Sequence, residues 1–178
     1  MKQKTNILLI GMPGSGKSTV GVILAKMVAK RFLDTDILIQ NRQKRTLQDI
    51  IDRDGYMVLR KIEEDVLLSI RCINYIIATG GSAPYSARGM EHLKKDSIVV
   101  FLHTSMEALN RRIHNYETRG IAKRPDQSFE DLFQERLLLY RKYADITIEC
   151  SDLTQDQVCE QIISRLLLLQ NSVSRSLH

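Results

Sequence analysis

A chain of 178 residues with 43% apolar and 26% charged side chains fits one folded domain with a substantial core, and excludes the disordered and fibrous classes. Its formal net charge of +5 suits an anionic ligand, but no basic run interleaved with aromatics accompanies it, so nucleic acid is not an expected partner. No stretch approaches the roughly 18 apolar residues of a membrane span. Cys72, Cys150 and Cys159 have neither paired nor C-x-x-C spacing, which points to free thiols in a reducing compartment.

From the N-terminus, NILLI (6–10) is the unbroken apolar run that a strand buried on both faces requires. It passes directly into a glycine-containing loop, so it does not read as a leader, and a cytoplasmic protein is expected. STVGVILAKMVAKR (18–31) follows with Val20, Ile23, Leu24, Met27 and Val28 at helical spacing. RFL (31–33) predicts a brief strand that ends at Asp34 and Asp36. TLQDII (46–51) reads as helical with Thr46 as N-cap, and YMVLRKIEEDVLLSIR (56–71) as a second helix with Val58, Leu59, Ile62, Val66, Leu67 and Ile70 inward. NYIIAT (74–79) predicts a strand running into GGS, and SIVVFLH (97–103) another, followed by the helix SMEALNRRIHNY (105–116). Residues 117–127 lack any period and predict a loop. SFEDLFQERLLLYRKYA (128–144) is a helix capped by Ser128, and DITIEC (145–150) is the last strand. Thr154 and Gln157 have capping-box spacing for a final helix over 155–169, with residues 171–178 left as a polar tail.

Strands alternating with helices predict an α/β fold, a five-stranded parallel sheet flanked by helices in three layers. One domain is expected over residues 1–170, with a substrate insertion at about 34–62 and a lid at about 115–127.

GMPGSGKST (11–19) carries G-x-x-x-x-G-K-[ST] on Gly11, Gly16, Lys17 and Ser18, between an apolar strand and a helix. Glycines let several backbone N–H groups curl toward one anion, and the helix N-terminus adds partial positive charge. Gly14, Ser15, Gly16, Lys17, Ser18 and Thr19 are therefore the candidate nucleotide-binding residues. Lys17 is placed to reach the β- and γ-phosphates of ATP, and the Ser18 hydroxyl to bind Mg²⁺. A GTPase needs D-x-x-G at a strand end together with N-K-x-D; DRDG (52–55) falls in a helical stretch and N-K-x-D is absent. Small size points to a P-loop NTPase of the small-molecule kinase class, organised like a nucleoside monophosphate kinase.

Beyond the loop, DTD (34–36), LRKIEED (59–65), ATGG (78–81) and ERLLLYRKYAD (135–145) follow in the order and spacing of shikimate kinases, and the chain resembles that family over roughly residues 5–150. The resemblance implies ATP-dependent, Mg²⁺-assisted phosphorylation of a hydroxyl on a small carboxylate. That reaction is shikimate to shikimate 3-phosphate, in the chorismate and aromatic amino acid pathway, and the family precedent is a monomer. It implies Asp34 in the metal shell and Asp36 on the acceptor hydroxyl, whose proton it takes. In an extended segment residues i and i+2 project to one face, where two carboxylates need a cation or a donor between them. It also implies that Arg60, held by Glu63, and Arg136 clamp the carboxylate, since guanidinium groups offer fixed bidentate donors. Gly80 and Gly81 bring backbone to the same substrate, Gly81 being the contact. Arg119 is the lid arginine that reaches the phosphates, with Arg112 seven positions earlier near the adenine and Arg124 as its competitor.

Departures from the family lie at the acceptor. Its third glycine is Ser82, the aromatic before the substrate arginine is Leu59, a glycine of the insertion is Arg45, and the lid reads Arg-Gly-Ile. A kinase of a different small hydroxy acid, or a nucleotide-binding regulator without chemistry, are the alternatives. His92, His103, His114 and His178 have no metal spacing, and RQKR (42–45) and RLLLLQ (165–170) read as a solvated patch and a buried helix face.

Overall fold

The computed structural model describes residues 4–112 and 120–175. Its strands are β1 (Asn6–Ile10), β2 (Arg31–Asp34), β3 (Tyr75–Ala78), β4 (Ser97–His103) and β5 (Ile146–Glu149). They form one sheet in the order β2-β3-β1-β4-β5, with every pairing parallel. Alternation along β1 explains its unbroken apolar sequence. Ile7 and Leu9 pack with Val20 and Leu24 of α1 (Lys17–Met27) and with Val158 and Ile162 of α8 (Gln155–Arg175). Leu8 and Ile10 pack with Leu67 of α4 (Tyr56–Ser69), Met90 of α5 (Ala87–Lys94) and Tyr140 of α7 (Phe129–Tyr143). Each side chain so buried contributes roughly 1.5–3 kcal/mol.

From β1 the chain crosses to the edge strand β2, returns to β3 on one side of β1, and then passes to β4 on the other. Connections therefore diverge at β1, and open parallel sheets bind ligands at the carboxyl ends of strands at such a point. Between β2 and β3 stand α2 (Thr35–Gln43), α3 (Leu47–Asp54) and α4, around a small core of Ile39, Ile50, Leu59 and Val66 that Ala122 completes. The remaining helix is α6 (Met106–Arg112).

Thr46 and Ser128 each make the full capping box with Asp49 and Asp131, worth about 1 kcal/mol apiece. Thr154 and Gln157 exchange backbone bonds as their spacing predicts. Elsewhere the elements differ from the sequence reading. α1 ends at Met27 rather than Arg31, because Ala29 takes a left-handed φ of 52°, and Met27 stays exposed. Val58 is exposed as well. α2 and α5, absent from the sequence reading, start on local caps, Asp34 and Ser86. α8 runs to Arg175, so residues 171–175 continue a helix. No helix among the described residues is long and apolar enough to cross a membrane.

Candidate active site

The loop after β1 turns into α1 through Gly14 and Gly16, at φ 82° and 90°, values that side chains resist. No side chain caps α1, so its first N–H groups stay available to an anion. Lys17 folds back on the loop, donating from Nζ to the carbonyls of Gly11 (2.8 Å) and Met12 (2.9 Å). Burial lowers its pKa to about 8 against the pull of the Asp36 charge. The Ser15 hydroxyl in the loop is buried without a partner among the described residues, a polar group that an anion in the loop could satisfy.

Asp34 and Asp36 do not share one face of an extended strand. Asp34 is the N-cap of α2: its Oδ1 accepts from the N–H groups of Asp36 (2.9 Å) and Ile37 (3.3 Å), so the chain turns helical immediately after it. Its other oxygen accepts the Ser18 hydroxyl at 2.6 Å, which ties β2 to the phosphate loop. Asp36, now in the first turn of α2, lines the cavity instead. Enclosure by protein, and then the Asp34 charge, raise its pKa to about 6, opposed by Lys17 and Arg136.

Across the cavity the Gly80–Gly81 turn passes under two carboxylates. A Cβ on Gly80 would lie 2.3 Å from Glu63 Oε1 and 2.6 Å from Asp36 Oδ1, so a side chain there would displace both carboxylates. The Gly80 N–H donates to the Thr35 hydroxyl at 3.0 Å, and the buried Tyr140 hydroxyl donates to the Gly81 carbonyl at 2.7 Å. These bonds fix the turn from α2 and α7 together. Glu63 is buried, and its pKa rises to about 7 through burial and then the Asp36 charge.

Among the described residues no hydrogen bond or ion pair joins Glu63 to Arg60, although the Arg60 charge acts on the Glu63 carboxylate. The Ser82 hydroxyl, which stands where a glycine was expected, donates to Glu63 Oε2. Arg60 instead lies with its Cζ 3.6 Å from the centre of the Tyr85 ring, and its Nη2 donates to the Ala122 carbonyl at 3.3 Å. Arg136, 1% exposed, donates to that same carbonyl at 2.8 Å. Both arginines keep a buried Nε without a partner.

One cavity of about 800 Å³ joins these features. Gly14, Gly16, Lys17, Ser18, Thr19, Asp36, Gly80, Gly81, Arg112 and Arg136 line it; Asp34 stands behind Ser18, and Arg60 behind the wall on Tyr85. Arg112 is committed to the carbonyls of Cys150 (2.9 Å) and Ser151 (3.1 Å). Arg124 is paired with Glu135 at 3.5 Å and does not line the cavity. Arg119 lies outside the described residues, as does the whole of the expected lid before Gly120. Arg45 pairs with Asp54 at 2.6 Å, which takes up part of the basic patch. No cluster of three metal-binding side chains occurs among the described residues. The cysteines are free, and burial pushes the Cys150 and Cys159 thiols up to about 12 and about 11, which removes reactive thiolate chemistry.

Sequence reasoning missed Thr35, Tyr85, Ala122 and Tyr140. Tyr140 had a signal, since it lies four residues after Arg136 on one helix and so shares its face. Tyr85 had none, because a 3₁₀ turn over Ala83–Tyr85 carries it to the arginines.

A family model described as shikimate kinase matches residues 13–167. Shikimate kinase of Rippkaea orientalis is 38% identical over 168 residues, covering 93% of this chain and 87% of the relative. The structure of shikimate kinase from Acinetobacter baumannii in complex with shikimate superposes with a TM-score of 0.83, at 33% identity over 94% of each chain. That of Aquifex aeolicus shikimate kinase gives 0.77 at 30% identity, over 94% of this chain and 98% of the other.

Proposed function

The chain belongs to the shikimate kinase family, and from that premise we propose that it transfers the γ-phosphoryl group of ATP to the 3-hydroxyl of shikimate. The observation that carries this reading is the meeting of two guanidinium groups on one oxygen. Arg136 and Arg60 both donate to the Ala122 carbonyl, and each has a further buried donor unused. A carboxylate supplies charge and a second oxygen to such a pair, so it competes well for the place that Ala122 holds. Asp36 lines the same cavity as the phosphate loop and Lys17.

In this reading the loop N–H groups and Lys17 bind the β- and γ-phosphates, Lys17 exchanging its two carbonyl acceptors for phosphate oxygens. The Ser18 hydroxyl and the Asp34 carboxylate form a hard-oxygen pair that fits Mg²⁺. A Mg²⁺ held by this pair would supply charge neutralisation to the transferred phosphoryl group. Arg60, Arg136 and the Gly81 N–H orient the acid, the Gly80 N–H being taken by Thr35. Asp36 accepts the hydrogen bond of the acceptor hydroxyl. The oxygen of that hydroxyl forms a bond to the γ-phosphorus as the bond to the β,γ-bridging oxygen breaks; the hydroxyl proton passes to Asp36, and ADP leaves. Arg112 is assigned to the adenine side and Arg119 to the lid.

The test is ADP release with Mg-ATP over shikimate and other small hydroxy acids, a panel chosen because Leu59 and Ser82 reshape the acceptor wall. Shikimate-dependent release is expected. Turnover of another acid alone moves the substrate within the kinase class, and turnover of none leaves a nucleotide-binding regulator.

A further inference from the structure

We propose that Tyr85 is a positioning residue for the acid: the face of its ring holds Arg60 in place for the carboxylate, the task the Glu63 carboxylate was expected to perform. The inference rests on the shikimate kinase reading of the site.

Three observations lead there. The Glu63 carboxylate accepts the Ser82 hydroxyl and acts on Arg60 through its charge, with no hydrogen bond or ion pair between the two among the described residues, and Leu59, beside Arg60, is buried in the small core and presents no aromatic face. Arg60 then has the Ala122 carbonyl at 3.3 Å, the Tyr85 ring at 3.6 Å and the Tyr56 ring at 5.2 Å. The Ala122 carbonyl occupies the place of a substrate oxygen, so it is the contact that entry of the acid replaces. What remains under the guanidinium before and after is the tyrosine ring. A planar cation at stacking distance over an aromatic face is attracted by the ring quadrupole and loses its rotational freedom.

The ring is itself held from both ends. Ala83 and Pro84 are buried in the 3₁₀ turn, and the Tyr85 N–H donates to the Ser82 carbonyl at 3.0 Å. The Tyr85 hydroxyl donates to Glu135, whose other oxygen accepts Gln127 at 2.8 Å. Glu135 immediately precedes Arg136, and the Arg136 Cζ lies 5.6 Å from the same ring. One aromatic plane thus sets the spacing of both guanidinium groups, while Ser82 and Tyr85 together replace the expected ion pair.

The experiment compares the full-length protein with Tyr85→Phe, Tyr85→Leu and Tyr85→Met, varying shikimate and ATP separately, and follows the Arg60 side-chain N–H signals by NMR. Tyr85→Leu is expected to raise the shikimate KM about tenfold, with kcat and the ATP KM within about twofold, and Tyr85→Phe to stay near the parent. The Arg60 signal is expected upfield in the parent and in Tyr85→Phe, and displaced in Tyr85→Leu. Tyr85→Met gives the same comparison without a ring should the leucine variant not fold. An unchanged shikimate KM without the ring overturns the proposal. So does an equal rise for both substrates, or a phenylalanine variant as impaired as the leucine one. If the parent does not turn over shikimate, that reading fails, and the Arg60 signal alone decides whether Tyr85 holds the guanidinium.

Discussion

The phosphate half of the cavity is one contiguous loop whose working groups are mainly backbone, with Lys17 and Ser18 added. The acceptor half takes Asp36 from α2, Arg60 and Glu63 from α4, the turn after β3, and Arg136 and Tyr140 from α7. A backbone cradle depends on glycine conformations and leaves little to rewire. A clamp of side chains can exchange partners while keeping its ends in place, as Ser82 has taken Glu63 and Tyr85 has taken Arg60. The two halves should therefore fail separately.

Asp36→Asn makes the sharpest separation. Turnover is expected to fall by about 10²–10⁴, because the acceptor proton loses its base, while a nucleotide titration finds ATP binding nearly unchanged. Activity that survives removes Asp36 from the acceptor hydroxyl. Arg136→Met comes next: kcat/KM for the acid is expected to drop about a hundredfold through loss of charged hydrogen bonds, with the ATP KM unaffected in steady-state kinetics. A parallel loss for ATP would join the two halves.

A smaller effect concerns the buried carboxylates. Glu63 and Asp36 have pKa values raised to about 7 and about 6, so the folded protein favours their protonated forms. Their contribution to stability is present below about pH 4 and is lost as pH rises through 6 and 7. Lys17, lowered to about 8, remains charged across that window and adds no slope there. Melting temperature of the ligand-free protein is expected to fall between pH 4.5 and 7, and Glu63→Gln to flatten the fall. The smallest effect is expected of half-exposed Arg124, partner of Glu135: Arg124→Ala keeps the kinetics of both substrates within about twofold.

This division also governs what the sequence disclosed. The loop was legible as nine consecutive residues, and the strands as apolar runs, because each is specified locally. The N-caps of α3 and α7, Thr46 and Ser128, were legible for the same reason. Asp34 and Asp36 were identified as residues but misplaced in geometry, since the side chain of Asp34 ends the strand that seemed to carry both. Arg60 and Glu63 have the spacing to pair, yet Ser82 from another segment wins the carboxylate. Spacing determines which groups can meet; the competition among partners is settled by tertiary contacts that no window of sequence contains. Tyr85 is the extreme case, silent in sequence because its turn and its arginines come from three separate elements.

The central claim is that paired guanidinium groups recognise a carboxylate beside an otherwise independent phosphate cradle. The most direct test compares kcat/KM for shikimate with that for its carboxamide at saturating Mg-ATP. The account predicts a loss of about a hundredfold for the amide, a gap that Arg136→Met narrows, and an unchanged ATP KM. Equal use of acid and amide would contradict it.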